Sequence, residues 1–241
     1  MTTTAVDLLA FIRTPRLDHP GSRTLGKATD LAWLFAVNLI IVVAIAAILF
    51  PIMLALDVGM SSSMSALFNR PVWQLLLFVV VAGPIVEELM FRLWLSGSPR
   101  LLVPFFGLLA WLAGSSGLAQ LGWMDSNGLG VKILLAAIVA IVVIGMIIVW
   151  KHRVPRWFVR VFPLLFWSQA LLFGFVHVFN YAGDNPAALL PFVLPQLVGG
   201  LIWGYARICY GWWANIALHM AYNLVAISGL LYMLCTGSDL A

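Results

Sequence analysis

Apolar residues run along this chain in long blocks separated by short polar turns. Seven blocks stand out: Leu31–Leu56, Val72–Leu95, Leu101–Leu121, Val131–Trp150, Phe162–Phe179, Ala187–Ile208 and Trp213–Cys235. A helix needs about 20 mainly apolar residues to cross ~30 Å of hydrocarbon, so each block predicts a membrane span. The first is long enough to tilt, or to end early at Pro51. The pattern predicts an all-α integral membrane protein: a bundle of about seven transmembrane helices in one domain over residues 31–236, behind an N-terminal segment over 1–30. Within that segment Leu8, Leu9, Phe11 and Ile12 stand beside Arg13 and Arg16. It reads either as a short interfacial helix or as a disordered tail, and not as a secretory signal, since no apolar core precedes a small-residue cleavage site.

The linkers are turn-like: Ser96-Gly97-Ser98-Pro99, Asp125-Ser126-Asn127-Gly128 and Gly183-Asp184-Asn185-Pro186. None is long enough for a soluble domain, and no internal repeat is visible. Composition agrees, with 63% hydrophobic and 9% charged residues where a soluble domain is roughly half apolar and a quarter charged. The two cysteines, Cys209 and Cys235, form no CxxC pair, which speaks against a zinc–thiolate site or a disulfide framework and leaves them as small apolar residues in helices.

The net charge of +4 does not point to nucleic acid, because the basic residues gather at the ends of the apolar blocks. Arg13, Arg16, Arg23 and Lys27 precede the first block, Arg100 follows the second, Lys151, Arg153, Arg156 and Arg160 follow the fourth, and Arg207 follows the sixth. If the blocks alternate in direction, all of these share one side, and the other receives only Arg70 and Lys132. The positive-inside rule then puts the N-terminus in the cytoplasm and the C-terminus outside. The expected location is a prokaryotic cell membrane, with membrane lipids as partners.

Polar residues inside the blocks are the informative exceptions, because a charge at mid-membrane costs ~3 kcal/mol or more on insertion scales and usually faces a cavity or a partner. The second block contains Glu87, Glu88 and Arg92. Adjacent helical residues point about 100° apart. Glu88 and Arg92, four apart, can therefore pair, while Glu87 faces elsewhere with no partner on its own helix. Such a carboxylate suits a general base; the lesser alternative is that all three groups form a structural cluster tying helices together. Pro84 nearby would free a carbonyl, as at a cavity wall.

His177 ends the fifth block, and as a lone histidine it reads as a packed residue or a catalyst. His219 and Asn223 share one face of the seventh block, where they could form an interhelical hydrogen-bond pair or supply two donors to a developing oxyanion. His19 and His152 lie in basic loops and are given no role. Three such groups on three spans, in a chain otherwise nearly free of them, favour catalysis or ion handling over independent structural accidents.

The three pieces resemble the motifs of the CAAX protease and bacteriocin-processing (CPBP, or Abi) family: EExxxR, then FxxxH, then HxxxN on successive hydrophobic spans. Here they read Glu87-Glu88-Leu89-Met90-Phe91-Arg92, Phe173-Gly174-Phe175-Val176-His177 and His219-Met220-Ala221-Tyr222-Asn223. The run from Gly200 through Gly204 to Arg207 resembles the family's glycine-bearing helix and its basic turn. The resemblance covers roughly residues 72–224 and implies an intramembrane endopeptidase. It implies that Glu87 with His177 activates water, that His219 and Asn223 stabilise the oxyanion, and that Glu88 with Arg92 holds the helix of the base. It implies a peptide or lipidated protein as substrate. It requires no cofactor; if zinc is used, Glu87, His177 and His219 are its ligands.

Two departures are visible. Leu93 stands where the family often has glycine after the arginine, and the distance from Glu87 to His177 is long, as if the third and fourth blocks were inserted. Two inserted spans preserve chain direction, so the fifth block still runs antiparallel to the second. Counting residues puts Glu87 and His219 in the cytoplasmic halves of their spans but His177 near the outer end of its own. Convergence therefore requires a shifted boundary or a deep polar cavity. A proton- or ion-coupled transporter, and a catalytically silent member acting as scaffold or immunity protein, are the competing expectations. Gly200 and Gly204 form a GxxxG that reads as packing within one bundle, and the oligomeric state is left open.

Overall fold

The computed structural model describes residues 2–17, 28–120, 128–150, 153–183, 185–229 and 231–232. His19, Arg23, Lys27, the Asp125-Ser126-Asn127 turn, Lys151, His152, Asp184 and the end of the seventh predicted span with Cys235 lie outside the described residues. Among the described residues lie nine helices: α1 (Thr2–Arg13), α2 (Ala28–Ala55), α3 (Ser62–Phe68), α4 (Val72–Phe91), α5 (Pro99–Gln120), α6 (Leu129–Val149), α7 (Arg156–Val176), α8 (Pro186–Cys209) and α9 (Trp212–Ala226). Among the described residues the one β feature is an isolated bridge between Met60 and Tyr181.

Among the described residues six helices are long and apolar enough to cross a membrane, corresponding to the first six predicted spans. The seventh, α9, has 15 residues, or about 22 Å at 1.5 Å per residue. Apolarity carries the pattern on towards Cys235, but the continuous helix ends at the Ile227 cap. Large apolar side chains such as Ile40, Val43, Ile141 and Leu164 are exposed, as expected where the surrounding solvent is lipid.

The described residues form two compact units, Met1–Arg92 with Phe162–Ala241, and Leu93–Val161. The second unit coincides with the two spans that read as an insertion. In it α5 and α6 pack as a hairpin at small residues: Gly107 lies against Val142, Gly114 against Leu134, and Gly145 against Val103. Trp94 stacks on Phe105 at 4.9 Å and meets Phe158 edge-on.

In the first unit the N-terminal segment is helical. Leu8 and Phe11 of α1 are buried while Val6 and Leu9 are exposed, and the Phe11 ring meets Phe166 at 5.1 Å and Tyr205 at 5.2 Å. One face of α1 is therefore docked on α7 and α8. The GxxxG of α8 also packs within the chain. Gly200 faces the backbone of Ala170, and Gly204 faces Phe166 and Gln169, whose Nε2 donates to the Gly200 carbonyl. Small residues let the two helices approach closely.

The helix that carries the acidic motif is not uniform. Leu76–Ala82 forms a π-helical stretch between α-helical ends. Gly83 N–H donates to the Phe78 carbonyl five residues back, and a Cβ on Gly83 would lie 2.6 Å from that oxygen, so only glycine fits. Pro84 follows and has no N–H to return to Val79, its own partner five residues back. Wide turns of this kind are frequent at functional sites. Gly83→Ala is expected to destabilise the protein by about 1–3 kcal/mol, as crowding does. By resetting the turn it is also expected to rotate Glu87 and lower activity. Thermal unfolding in detergent and turnover check the two effects separately.

Candidate active site

The last turns of α4 separate the two glutamates by helix geometry alone. Glu88 is 0% exposed, whereas the Glu87 side chain is 33% exposed and lines a cavity of about 440 Å³. Glu88 is held from both sides. Its Oε1 accepts from Arg92 Nη1 and its Oε2 from Asn215 Nδ2, while His219 Nδ1 lies 2.8 Å from Oε1. Arg92 is one helical turn further along α4, and Asn215 and His219 are one turn apart on α9, so two i,i+4 pairs close on one carboxylate. Arg92 is also fully buried; its guanidinium carbon lies 4.4 Å from the Phe173 ring centroid and 5.5 Å from that of Trp203. Arg207 Nε donates to the Arg92 carbonyl at 3.1 Å, tying the end of α8 to the end of the motif helix.

Each histidine of the cavity has one ring nitrogen committed. A carboxylate or carbonyl oxygen accepts, so His219 donates from Nδ1 to Glu88, and His177 donates from Nδ1 to the Phe173 carbonyl at 2.6 Å. The Nε2 atoms then face Glu87, with Oε2 3.5 Å from His219 Nε2 and 3.9 Å from His177 Nε2. The His219 ring is stacked on Trp203 at 4.0 Å and meets Phe173 edge-on at 5.8 Å, while Phe173 also lies 4.6 Å from the His177 ring. Phe173 thus holds one histidine by its carbonyl and both by its ring.

The structure brings Glu87, His177 and His219 together and pairs Glu88 with Arg92. The depth mismatch counted from the sequence closes for three physical reasons. Side chains on a helix lean towards its N-terminus, and α4 and α7 are antiparallel, so Glu87 and His177 lean towards each other; the His177 bond to Phe173, four residues back, shows this lean. The π stretch packs more residues into each turn before Glu87. The cavity is also deep, since its lining on α9 runs from His219 to Ile227, about 12 Å of axis.

Asn223 faces the same cavity, but its Nδ2 donates to the Val79 carbonyl at 2.8 Å, the oxygen that Pro84 cannot serve. One amide hydrogen is thereby engaged and the second is left for other use.

Sequence reasoning passed over Asn215, although Asn215, His219 and Asn223 recur at four-residue spacing on one face, and that signal was available. Trp203 and Gln169 carried no such signal, because a Trp or a lone Gln in an apolar block is ordinary core.

Two histidines and a glutamate are also a zinc-type donor set. Among the described residues, however, no group of three or more His, Cys, Asp or Glu is placed to hold a metal ion.

Membrane-length helices with a buried glutamate–histidine cluster define an integral membrane protein with a polar, titratable cluster inside it. A family model for the Rce1-like type II CAAX prenyl endopeptidases matches residues 69–225, well over half of the 241 residues, and the chain belongs to this family. It is a multi-pass membrane protein of an intramembrane endopeptidase family. No curated protein and no solved structure matches the chain.

Proposed function

We propose that the protein hydrolyses a peptide bond of a membrane-associated peptide or lipidated protein, and that Glu87 is the base. The observation that carries this reading is the convergence of His177 Nε2 and His219 Nε2 on Glu87 Oε2 at 3.9 and 3.5 Å. These are three acceptors with no hydrogen between them, and Glu87 Oε2 has no hydrogen-bond partner. Separations beyond hydrogen-bond length between polar groups call for a bridging water, and a water there is the nucleophile.

Its oxygen attacks the scissile carbonyl carbon while one of its protons passes to Glu87, with His177 Nε2 orienting it. The tetrahedral oxyanion is met by the second Nδ2 hydrogen of Asn223 and by His219, whose Nε2 takes over the proton that Glu87 received from the water while Nδ1 stays on Glu88. Collapse breaks the C–N bond, and the amine leaves with that same proton. Glu88, Arg92 and Asn215 position this machinery without touching substrate. The gathering of Lys and Arg at alternate ends of the apolar blocks supports an N-terminus in the cytoplasm.

The test is a panel of lipidated and unlipidated peptides given to the reconstituted protein. Expected is cleavage that persists in a chelator. Cleavage lost to chelator and restored by zinc would overturn the water–glutamate mechanism, and no cleavage of any peptide together with Glu87-dependent proton flux would replace hydrolysis by transport. Asn223→Ala is expected to lower kcat by about 10²–10³-fold, the usual loss of one oxyanion donor, with a smaller change in KM. An unchanged kcat would confine Asn223 to capping Val79.

A further inference from the structure

We infer that Gln196 is a substrate-binding residue, whose side-chain carbonyl accepts a hydrogen bond from a main-chain N–H of the peptide a few residues from the scissile bond. The peptide is that of the hydrolytic reading, but its binding is measured apart from cleavage.

The cavity beside Glu87 has largely apolar walls. Three of its lining residues carry a buried polar atom without a hydrogen-bond partner: Glu87 Oε2, Trp203 Nε1 and Gln196 Oε1. Glu87 has its role in the chemistry. The Trp203 ring is stacked on His219 and is 2% exposed, so it belongs to the packed wall. Gln196 is only half-buried, and no step of the hydrolysis uses it.

The neighbour of Gln196 fixes which end of its amide is available. The Tyr181 hydroxyl gives its one hydrogen to the Phe192 carbonyl at 3.0 Å. Towards Gln196, with which it also bonds, it can therefore only accept. Gln196 turns Nε2 to Tyr181 and keeps Oε1 as an oriented, unfilled acceptor. A buried acceptor left unpaired is costly. A peptide that enters the cavity brings the complementary problem, since each main-chain N–H that leaves water needs an acceptor. One bond satisfies both groups.

Position agrees with this role. Gln196 and Trp203 are seven residues apart on α8, so they share a face about 10 Å apart along the axis. Trp203 supports His219, and His219 Nε2 lies 3.5 Å from Glu87 Oε2. An extended chain advances ~3.3 Å per residue, so Gln196 meets the main chain about two to four residues from the bond that is cut. A bond to the main chain is blind to side-chain identity. It sets the register of the peptide, while the apolar walls meet its side chains.

Binding is read in the Glu87→Gln protein, which does not consume the probe. The probe is a short fluorescent lipidated peptide, used as the parent and as analogues in which one backbone N–H at a time is replaced by an ester oxygen. One ester position is expected to raise Kd about tenfold, as loss of one buried hydrogen bond does. With Gln196→Leu added, the parent is expected to bind about tenfold more weakly, and the ester at that position to cost nothing further. Gln196→Met keeps the length of the side chain and should behave in the same way, so that a folding failure of one variant leaves the other. A lost packing contact would weaken every analogue alike and could not produce this position-specific cycle.

An ester penalty of the same size with and without Gln196, a parent Kd that both variants leave unchanged, or no binding of any probe would overturn the inference. The expected cycle in a protein whose wild type cuts none of the peptides would instead overturn hydrolysis and leave Gln196 as a peptide-binding residue.

Discussion

Glu87→Gln is expected to reduce kcat by about 10²–10⁴-fold, the range that a positioned general base contributes. The amide keeps the shape of the carboxylate but cannot take a proton from water. The protein should still fold, because the Glu87 side chain is a third exposed and its Oε2 accepts no hydrogen bond. The measurement is turnover of a cleaved peptide, with thermal unfolding of the same preparation as the control. An unfolding temperature close to wild type together with lost turnover assigns the role to chemistry; turnover close to wild type removes Glu87 from it. His177→Ala in the same assay separates the proton acceptor from the group that orients the water, since a base that is still present should leave partial activity.

Glu88→Ala should act through the fold instead. Its carboxylate serves Arg92, Asn215 and His219 at once, and all four groups are buried. Removing one partner of a buried ion pair costs about 3–5 kcal/mol because the other charge is stranded. A large drop in unfolding temperature and low membrane yield are expected.

The double change Glu88→Leu with Arg92→Met removes both charges, and such replacements are often near neutral for stability. That variant should fold better than Glu88→Ala yet stay inactive, because His219 would lose the acceptor that fixes Nδ1. Recovery of both stability and turnover would show that Glu88 is structural only.

Much of this arrangement was readable from spacing. Glu88 and Arg92 are one turn apart, and α-helix geometry alone predicts that they pair and that Glu87 faces elsewhere. His219 and Asn223 share a face for the same reason. The long interval between Glu87 and His177 read as two inserted spans, and the unit Leu93–Val161 falls there. The seventh span is drawn to Cys235; α9 is continuous to Ala226, helical residues recur at 228–229 and 231–232, and the rest of that span lies outside the described residues.

Asn223 shows the limit from another side. Its spacing suggests a pair with His219, yet the amide donates to Val79. That partner exists only because Leu76–Ala82 is a π stretch followed by a proline, and wide turns leave no periodic signature in composition.

The sequence by itself determined the solvent, the helices and the candidate chemistry, because a charged side chain in a lipid-length apolar block is costly enough to be conspicuous wherever it occurs. Only the tertiary structure decided which groups meet. Depth along each span depends on the π turn in α4 and on side chains leaning in opposite directions on antiparallel helices. The joining of Glu88 to α9 through Asn215 depends on how helices far apart in the chain pack. Those are relations between segments, and no local pattern of residues encodes them.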